Sequence, residues 1–160
     1  MPIFKLDEFF LNILPKKRLI GIDPGTKTIG VAVSNTDLTV ASPITTIKRK
    51  KISSDINELI LIANHYDIAG LVMGWPLNMD GSESELSRLS RKFARRLQGR
   101  FNLEVLMVDE RLTSHDAKLS IREAGFGKKN SKIDLTKIDH LAATLILQSW
   151  LDQPNLGQQP

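Results

Sequence analysis

The sequence, 160 residues long, contains no cysteine. A disulfide framework and any cysteine-ligated metal centre are therefore excluded, and a reducing compartment fits. Histidine is scarce too: His65, His115 and His140 lie far apart, with none of the close spacing that zinc sites use. No apolar run approaches the roughly eighteen residues that a membrane span needs. Asp7 and Glu8 interrupt the apolar N-terminal stretch and no small-residue cleavage site follows, so no signal peptide is expected and a cytoplasmic protein is. A strong excess of one charge is also missing. Lys plus Arg number 22 against 18 Asp plus Glu, a net charge of +4 that many proteins share without touching nucleic acid. The length suits a single domain that buries a core without covalent staples.

What is present is more telling in its distribution than in its total. Basic residues gather at Lys16 to Arg18, Lys48 to Lys51, Arg88 to Arg96, and Lys128-Lys129 with Lys132. Such blocks favour polyanions through counterion release, although each taken alone reads equally as a solvated face. The stretch Arg18 to Ser34 organises the rest. Leu19 to Ile22 and Ile29 to Val33 are short apolar runs flanking Asp23-Pro24-Gly25-Thr26. Pro fixes φ for the second place of a turn and Gly accepts positive φ at the third, so the segment reads as strand, turn, strand. Asp23 then ends the first strand, where it either starts the turn or serves a site.

Apolar spacing over Phe4 to Leu14 suits a short helix ended by Pro15. Leu38 to Lys48 reads as a third strand bent at Pro43, which makes the first three strands an antiparallel meander. Ile52, Ile56, Leu59, Ile60 and Ala63 recur at helical spacing over Ser53 to Tyr66, and Ala69 to Gly74 follows as a strand parallel to the first. Trp75 to Gly81 is loop, Ser82 with Glu85 has capping-box spacing, and Leu86, Leu89, Phe93 and Leu97 form the stripe of the next helix. Leu103 to Val108 is the fifth strand, ending in Asp109-Glu110-Arg111. A helix from Thr113 to Ala124, a mobile glycine-rich basic segment (Gly125 to Lys132) and a last helix from Asp134 to Leu151 complete the chain. On that last helix Ile138, Leu141, Ala142, Leu145, Ile146 and Ser149 face inward. The expected fold is α/β, a five-stranded mixed sheet with helices on both faces. The domains are an N-terminal helical extension (1–16), one α/β domain (17–152) and a disordered tail (153–160).

Sites on such sheets form at the carboxyl ends of parallel strands, where Asp23, the Trp75 to Gly81 loop and Asp109-Glu110 all fall. Alternation places Gly21 with Asp23 on one face, and Gly30, Ala32 and Ser34 offer small side chains beside them. A last helix docked on that small-residue face through Ala142 and Ala143 brings Asp139 towards Asp23. Against this, Thr136 with Asp139 has the spacing of a mere helix cap. Of Asp109 and Glu110, alternation lets only one point into the site. Three carboxylates within ~5 Å repel by several kcal/mol at an effective dielectric of about 20, so such a cluster persists only if some are protonated or a cation neutralises them. Oxygen ligands alone suit Mg²⁺ or Mn²⁺, which can activate water against a phosphodiester.

Asp23-Pro-Gly-Thr-Lys-Thr-Ile-Gly-Val-Ala-Val-Ser, Gly74-Trp-Pro-Leu-Asn-Met-Asp-Gly, Asp109-Glu-Arg-Leu-Thr-Ser and Asp139-His-Leu-Ala-Ala together resemble the motifs of the YqgF/RuvX family. The resemblance covers Arg18 to Leu151 and implies the ribonuclease-H-like fold. It further implies that Asp23, Glu110 and Asp139 are the catalytic, metal-binding acids, Glu110 being chosen over Asp109. It places Lys27, Asn78 and Arg111 beside the substrate, and the basic Lys128 and Lys129 are grouped with them. Thr28 stands where the family commonly has Arg, and Trp75 where it has Leu. Trp75 is expected to pack beneath its loop rather than stack on a base.

The implied function is a metal-dependent nuclease acting on structured nucleic acid, with 5′-end maturation of pre-16S ribosomal RNA first and branched DNA second. A nucleic-acid-binding module without turnover and an actin-like ATPase half are the other readings. The expected assembly is a monomer or weak homodimer, away from membranes.

Overall fold

The computed structural model describes residues 17–109 and 135–152, giving for 135–140 the helix but not the side chains. The helices expected over Phe4 to Leu14 and Thr113 to Ala124, the basic segment 125–132 and the tail 153–160 lie outside the described residues. In chain order the elements are β1 (Arg18–Pro24), β2 (Thr28–Ser34), β3 (Ala41–Lys48), α1 (Ile52–Tyr66), β4 (Ile68–Trp75), α2 (Glu85–Phe101), β5 (Glu104–Asp109) and α3 (Leu135–Leu151). They build one five-stranded sheet in the order β3-β2-β1-β4-β5. β1, β2 and β3 form the expected antiparallel meander. β4 runs parallel to β1, and β5 parallel to β4. The predicted bend at Pro43 is a register shift: Val31 pairs with Thr45 and Ala32 with Pro43, leaving Ile44 as the extra residue.

Alternation divides the sheet into unlike faces. On one, Ile20, Ile22, Leu71, Met73, Val105 and Met107 pack beneath Ile56, Leu59, Phe93 and Leu97 of α1 and α2. On the other, Leu19, Ala32, Val72 and Leu106 meet Ala143, Ile146, Leu147 and Trp150 of α3. Gly21 lies on this second face. A Cβ there would stand 2.8 Å from Leu147 Cβ and 3.0 Å from the Ala143 carbonyl oxygen, so glycine is what lets the helix approach.

Two helix expectations need correction. The inward stripe of α2 is Ser87, Ser90, Phe93, Ala94 and Leu97; Leu89 is exposed and Leu86 half-buried. Its cap is Ser84, whose Oγ accepts from Ser87 N while Ser87 Oγ accepts from Ser84 N, so the box sits two residues later than Ser82 with Glu85. On α3 the fully buried residues are Ala143, Ile146, Leu147, Trp150 and Leu151, whereas Leu141, Ala142, Leu145 and Ser149 are half-buried.

Candidate active site

The carboxyl ends of the parallel strands β1, β4 and β5 bring Asp23, Trp75 and Asp109 to one edge of the sheet. Ile22 pairs with Met73, and Trp75 with Asp109, so the first acid lies close to level with the other strand ends. Asp23 and Asp109 are both half-buried, and both are engaged in polar or electrostatic contacts. By alternation Asp23 shares the face of Gly21, under α3, while Asp109 shares the face of Met107, under α1 and α2.

The turn after Asp23 departs from expectation. Pro24 remains in β1, paired with Ile29, and the reversal runs from Gly25 to Thr28, closed by a 2.8 Å bond from Gly25 N to the Thr28 carbonyl. Gly25 does not adopt positive φ; among the described glycines only Gly81 does. Glycine is required at 25 for space, because a Cβ would lie 3.0 Å from the Thr28 carbonyl oxygen. Lys27 is exposed on this turn, and its carbonyl accepts from Arg49 N at 2.9 Å.

The sequence marks Arg49 only as a member of a basic block, and the structure gives it a larger part. Its Nη1 donates to the Gly25 carbonyl at 2.8 Å, its Nε lies 3.6 Å from Asp55 Oδ2, and its guanidinium sits 5.1 Å from the Phe93 ring centroid. Asp55, 1% exposed, also accepts from Lys50 N at 3.0 Å. The turn beside Asp23 is thereby tied to both helices of the far face. Nothing in the periodicity of the chain signals this; only the buried acid near the start of α1 offers a cue.

The loop after β4 is built from its own polar groups. Asn78 N donates to the Ser82 carbonyl, Asn78 Nδ2 to Ser82 Oγ, and Ser82 Oγ to Asp80 Oδ1. Asn78 is exposed, with its amide nitrogen engaged inside the loop. Trp75 is half-buried, and its Nε1 donates to the Ser87 carbonyl at 3.2 Å, which is the packing role expected.

α3 is oriented by anchors along its length. Ala143 and Leu147 abut Gly21, whereas Gln148 accepts from Ala41 N at 2.7 Å and donates to the Thr39 carbonyl at 2.9 Å. Ala41 pairs with Ser34, whose Oγ accepts from Leu19 N, so these anchors mark the amino end of β1. The first turns of α3 therefore lie towards the carboxyl end of β1, the end that bears Asp23. Asp139 belongs to these turns, one turn before Ala143. Thr136 falls within the helix as well. Glu110, Arg111, Lys128, Lys129 and the side chain of Asp139 lie outside the described residues. Among the described residues no cluster of three or more His, Cys, Asp or Glu could hold a metal ion.

A central parallel trio flanked by an antiparallel hairpin extension, with a helix closing over the first strand, is the architecture of the ribonuclease-H-like nucleases. Known structures agree on the fold. Thermus thermophilus RuvC in complex with a Holliday junction substrate matches with a TM-score of 0.53 at 13% identity, over 81% of this chain and 91% of that one. The yeast mitochondrial Holliday junction resolvase Ydc2 matches with a TM-score of 0.53 at 12% identity, over 87% of this chain and 79% of that one.

Sequence similarity gives the family. The RuvX family model, described as Holliday junction resolvase, matches residues 17–153, and the chain belongs to that family of nucleases. A Rhodospirillum rubrum protein named "Putative pre-16S rRNA nuclease" is 42% identical over 154 residues, covering 95% of this chain and 93% of that one. A protein of the same name from Pseudomonas syringae pv. tomato is 43% identical over 135 residues, or 84% and 91%.

Proposed function

We propose that this nuclease hydrolyses phosphodiester bonds in the pre-16S ribosomal RNA 5′ region, in the cytoplasm, as a monomer or weak homodimer with its catalytic domain at 17–152. The names carried by the relatives supply the substrate class. The observation that carries the catalytic reading is the seat of α3 on Gly21, which directs the helix segment bearing Asp139 to the strand end bearing Asp23.

Position 110 completes the set by parity. Leu106 and Val108 lie on the α3 face, so one more alternation would put Glu110 on the face of Asp23 and leave Asp109 on the other. Asp23, Glu110 and Asp139 are assigned as the acids that hold Mg²⁺ or Mn²⁺. An all-carboxylate donor set suits a hard ion, which would supply charge neutralisation and a water of lowered pKa. The chain's own task is to hold acids from three elements at one edge and to position the strand. Lys27, exposed on the turn next to Asp23, is assigned to a substrate phosphate. Arg111, Lys128 and Lys129 are assigned to the same polyanion, and Asn78 to the substrate-side loop.

The test incubates a pre-16S RNA fragment and, in parallel, a four-way DNA junction with the protein and either metal. Asp23→Asn should lower the cleavage rate on the order of 10²–10³-fold while leaving the fold and RNA binding in place. Undiminished cleavage by that variant would reject the assignment. Cleavage of the junction alone would move the substrate to branched DNA, the reading that the family's description favours.

A further inference from the structure

Away from the α3 face, a groove of about 810 Å³ lies between the β1–β2 turn, the β3–α1 connection and α2. We propose that this groove is a second contact surface for the substrate strand, receiving its backbone phosphates on Lys92, Arg95 and Arg96 and an unstacked base on Leu86 and Leu89. The proposal rests on the nuclease reading and deepens it.

Three independent features of the groove point to such a ligand. Its rim is cationic in a way the protein does not satisfy itself. Arg49 is held by Gly25 and Asp55, but the side-chain cations of Lys50, Lys92, Arg95 and Arg96 form no ion pair with a carboxylate among the described residues. Elsewhere on α2, Arg91 binds Glu83 at 2.8 Å and Arg100 donates to Asn57 at 2.9 Å, while Arg88 likewise has no carboxylate partner among the described residues. Lys92, Arg95 and Arg96 fall at i, i+3 and i+4, hence on one side of the helix, as a row that can follow a backbone.

The wall, by contrast, is apolar and open: Leu89 is 51% and Ile52 38% exposed, two large aliphatic side chains standing on one groove. Finally, Ser90 lines the groove at 2% exposure with its Oγ lacking any hydrogen-bond partner among the described residues. Buried hydroxyls ordinarily find one, and a ligand group in the groove would provide it. An apolar wall beneath a cationic rim matches a nucleotide unit better than a simple anion, which would leave the wall bare.

The groove is also in the right place. Thr26, on the turn that follows Asp23, is part of its lining. A strand cut beside Asp23 could thus pass over the turn and continue along α2.

The experiment measures binding of a fluorescein-labelled single-stranded RNA from the 16S 5′ leader by anisotropy, with Ca²⁺ in place of Mg²⁺, over a salt series. Lys92→Ala/Arg95→Ala/Arg96→Ala, all at exposed positions, should weaken binding by at least about tenfold. It should also flatten the dependence of log Kd on log salt by about 2, because each single-strand phosphate left without its cation lowers that slope by roughly 0.7. Leu89→Glu, which sets a carboxylate on the wall, should weaken binding without altering the circular dichroism. Lys17→Ala/Arg91→Ala, cations outside the groove that already pair with Asp67 and Glu83, should bind within about twofold of the parent, given the weak effect of isolated surface charges. If the parent binds while the groove variants match it in Kd and salt slope, or if the control weakens as much as they do, the groove is overturned and the nuclease assignment stands. A parent that binds neither this RNA nor a four-way junction overturns both.

Discussion

The two faces of the sheet solve the same packing problem with opposite materials. Under α1 and α2, large side chains such as Ile20, Ile22, Leu71 and Met73 fill a deep layer, each burial contributing about 1.5–3 kcal/mol. Under α3, Gly21 and Ala32 let the helix backbone come close over β1 and β2, and Leu19, Val72 and Leu106 of the sheet pack with Leu147 and Trp150 of the helix around that close approach. The deep layer tolerates small displacements of its helices because side chains absorb them. The thin layer has no such slack, and it lies beneath the helix that carries Asp139. The close approach thus lies beneath the helix segment on which the proposed site depends.

That contrast can be broken from either side. Leu71 is fully buried in the deep layer, and Leu71→Ala should cost about 2–5 kcal/mol through forfeited transfer energy and cavity formation. Chemical denaturation checks this through a lowered midpoint at unchanged slope. The protein that remains folded should cleave at close to the parent rate, since the defect lies away from the Asp23 face. Gly21→Ala makes the opposite change. Its Cβ meets Leu147 Cβ at 2.8 Å and the backbone at Ala143, so α3 has to lift, at about 1–3 kcal/mol. Here cleavage should fall further than stability predicts, because the lifted segment bears a proposed catalytic acid. Equal rates per folded molecule in these two variants would remove the distinction between the faces.

Much of the sheet is legible in the sequence because its signals are local. Alternation in Leu19 to Asp23 and Ile29 to Val33 phases those strands, and Pro43 marks the bend that is realised as a bulge. The turn at Gly25 falls where the sequence puts it but for another reason: close approach to Thr28, not positive φ, requires the glycine. Helix faces are harder to read. α2 turns Ser87 and Ser90 inward and Leu89 outward, contrary to hydrophobic periodicity, because small side chains let it approach the sheet while a groove keeps Leu89 open. α3 is apolar around much of its circumference, so period alone cannot say whether Leu145 or Leu147 is inside. The proposed convergence of Asp23 with Asp139 rests on pairing small residues across elements. The choice of Glu110 comes from the family resemblance.

The smallest effect tests whether the groove side is only scaffolding. Ser84 caps α2 through its Oγ, which accepts from Ser87 N at 3.0 Å and donates to the Pro76 carbonyl at 3.1 Å. Ser84→Ala removes both bonds and should cost about 1 kcal/mol, as removal of an N-cap side chain usually does. The damage falls at the first turn of α2, whereas Lys92, Arg95 and Arg96 lie two or more turns further along. Fraying of that first turn should therefore leave RNA affinity in Ca²⁺ unchanged while the denaturation midpoint shifts. Hydrogen exchange should report the opening at Glu85 to Arg88 alone. A drop in affinity as large as that of the groove variants would mean that the α2 cations act through the order of the whole helix and not through direct contact with the strand.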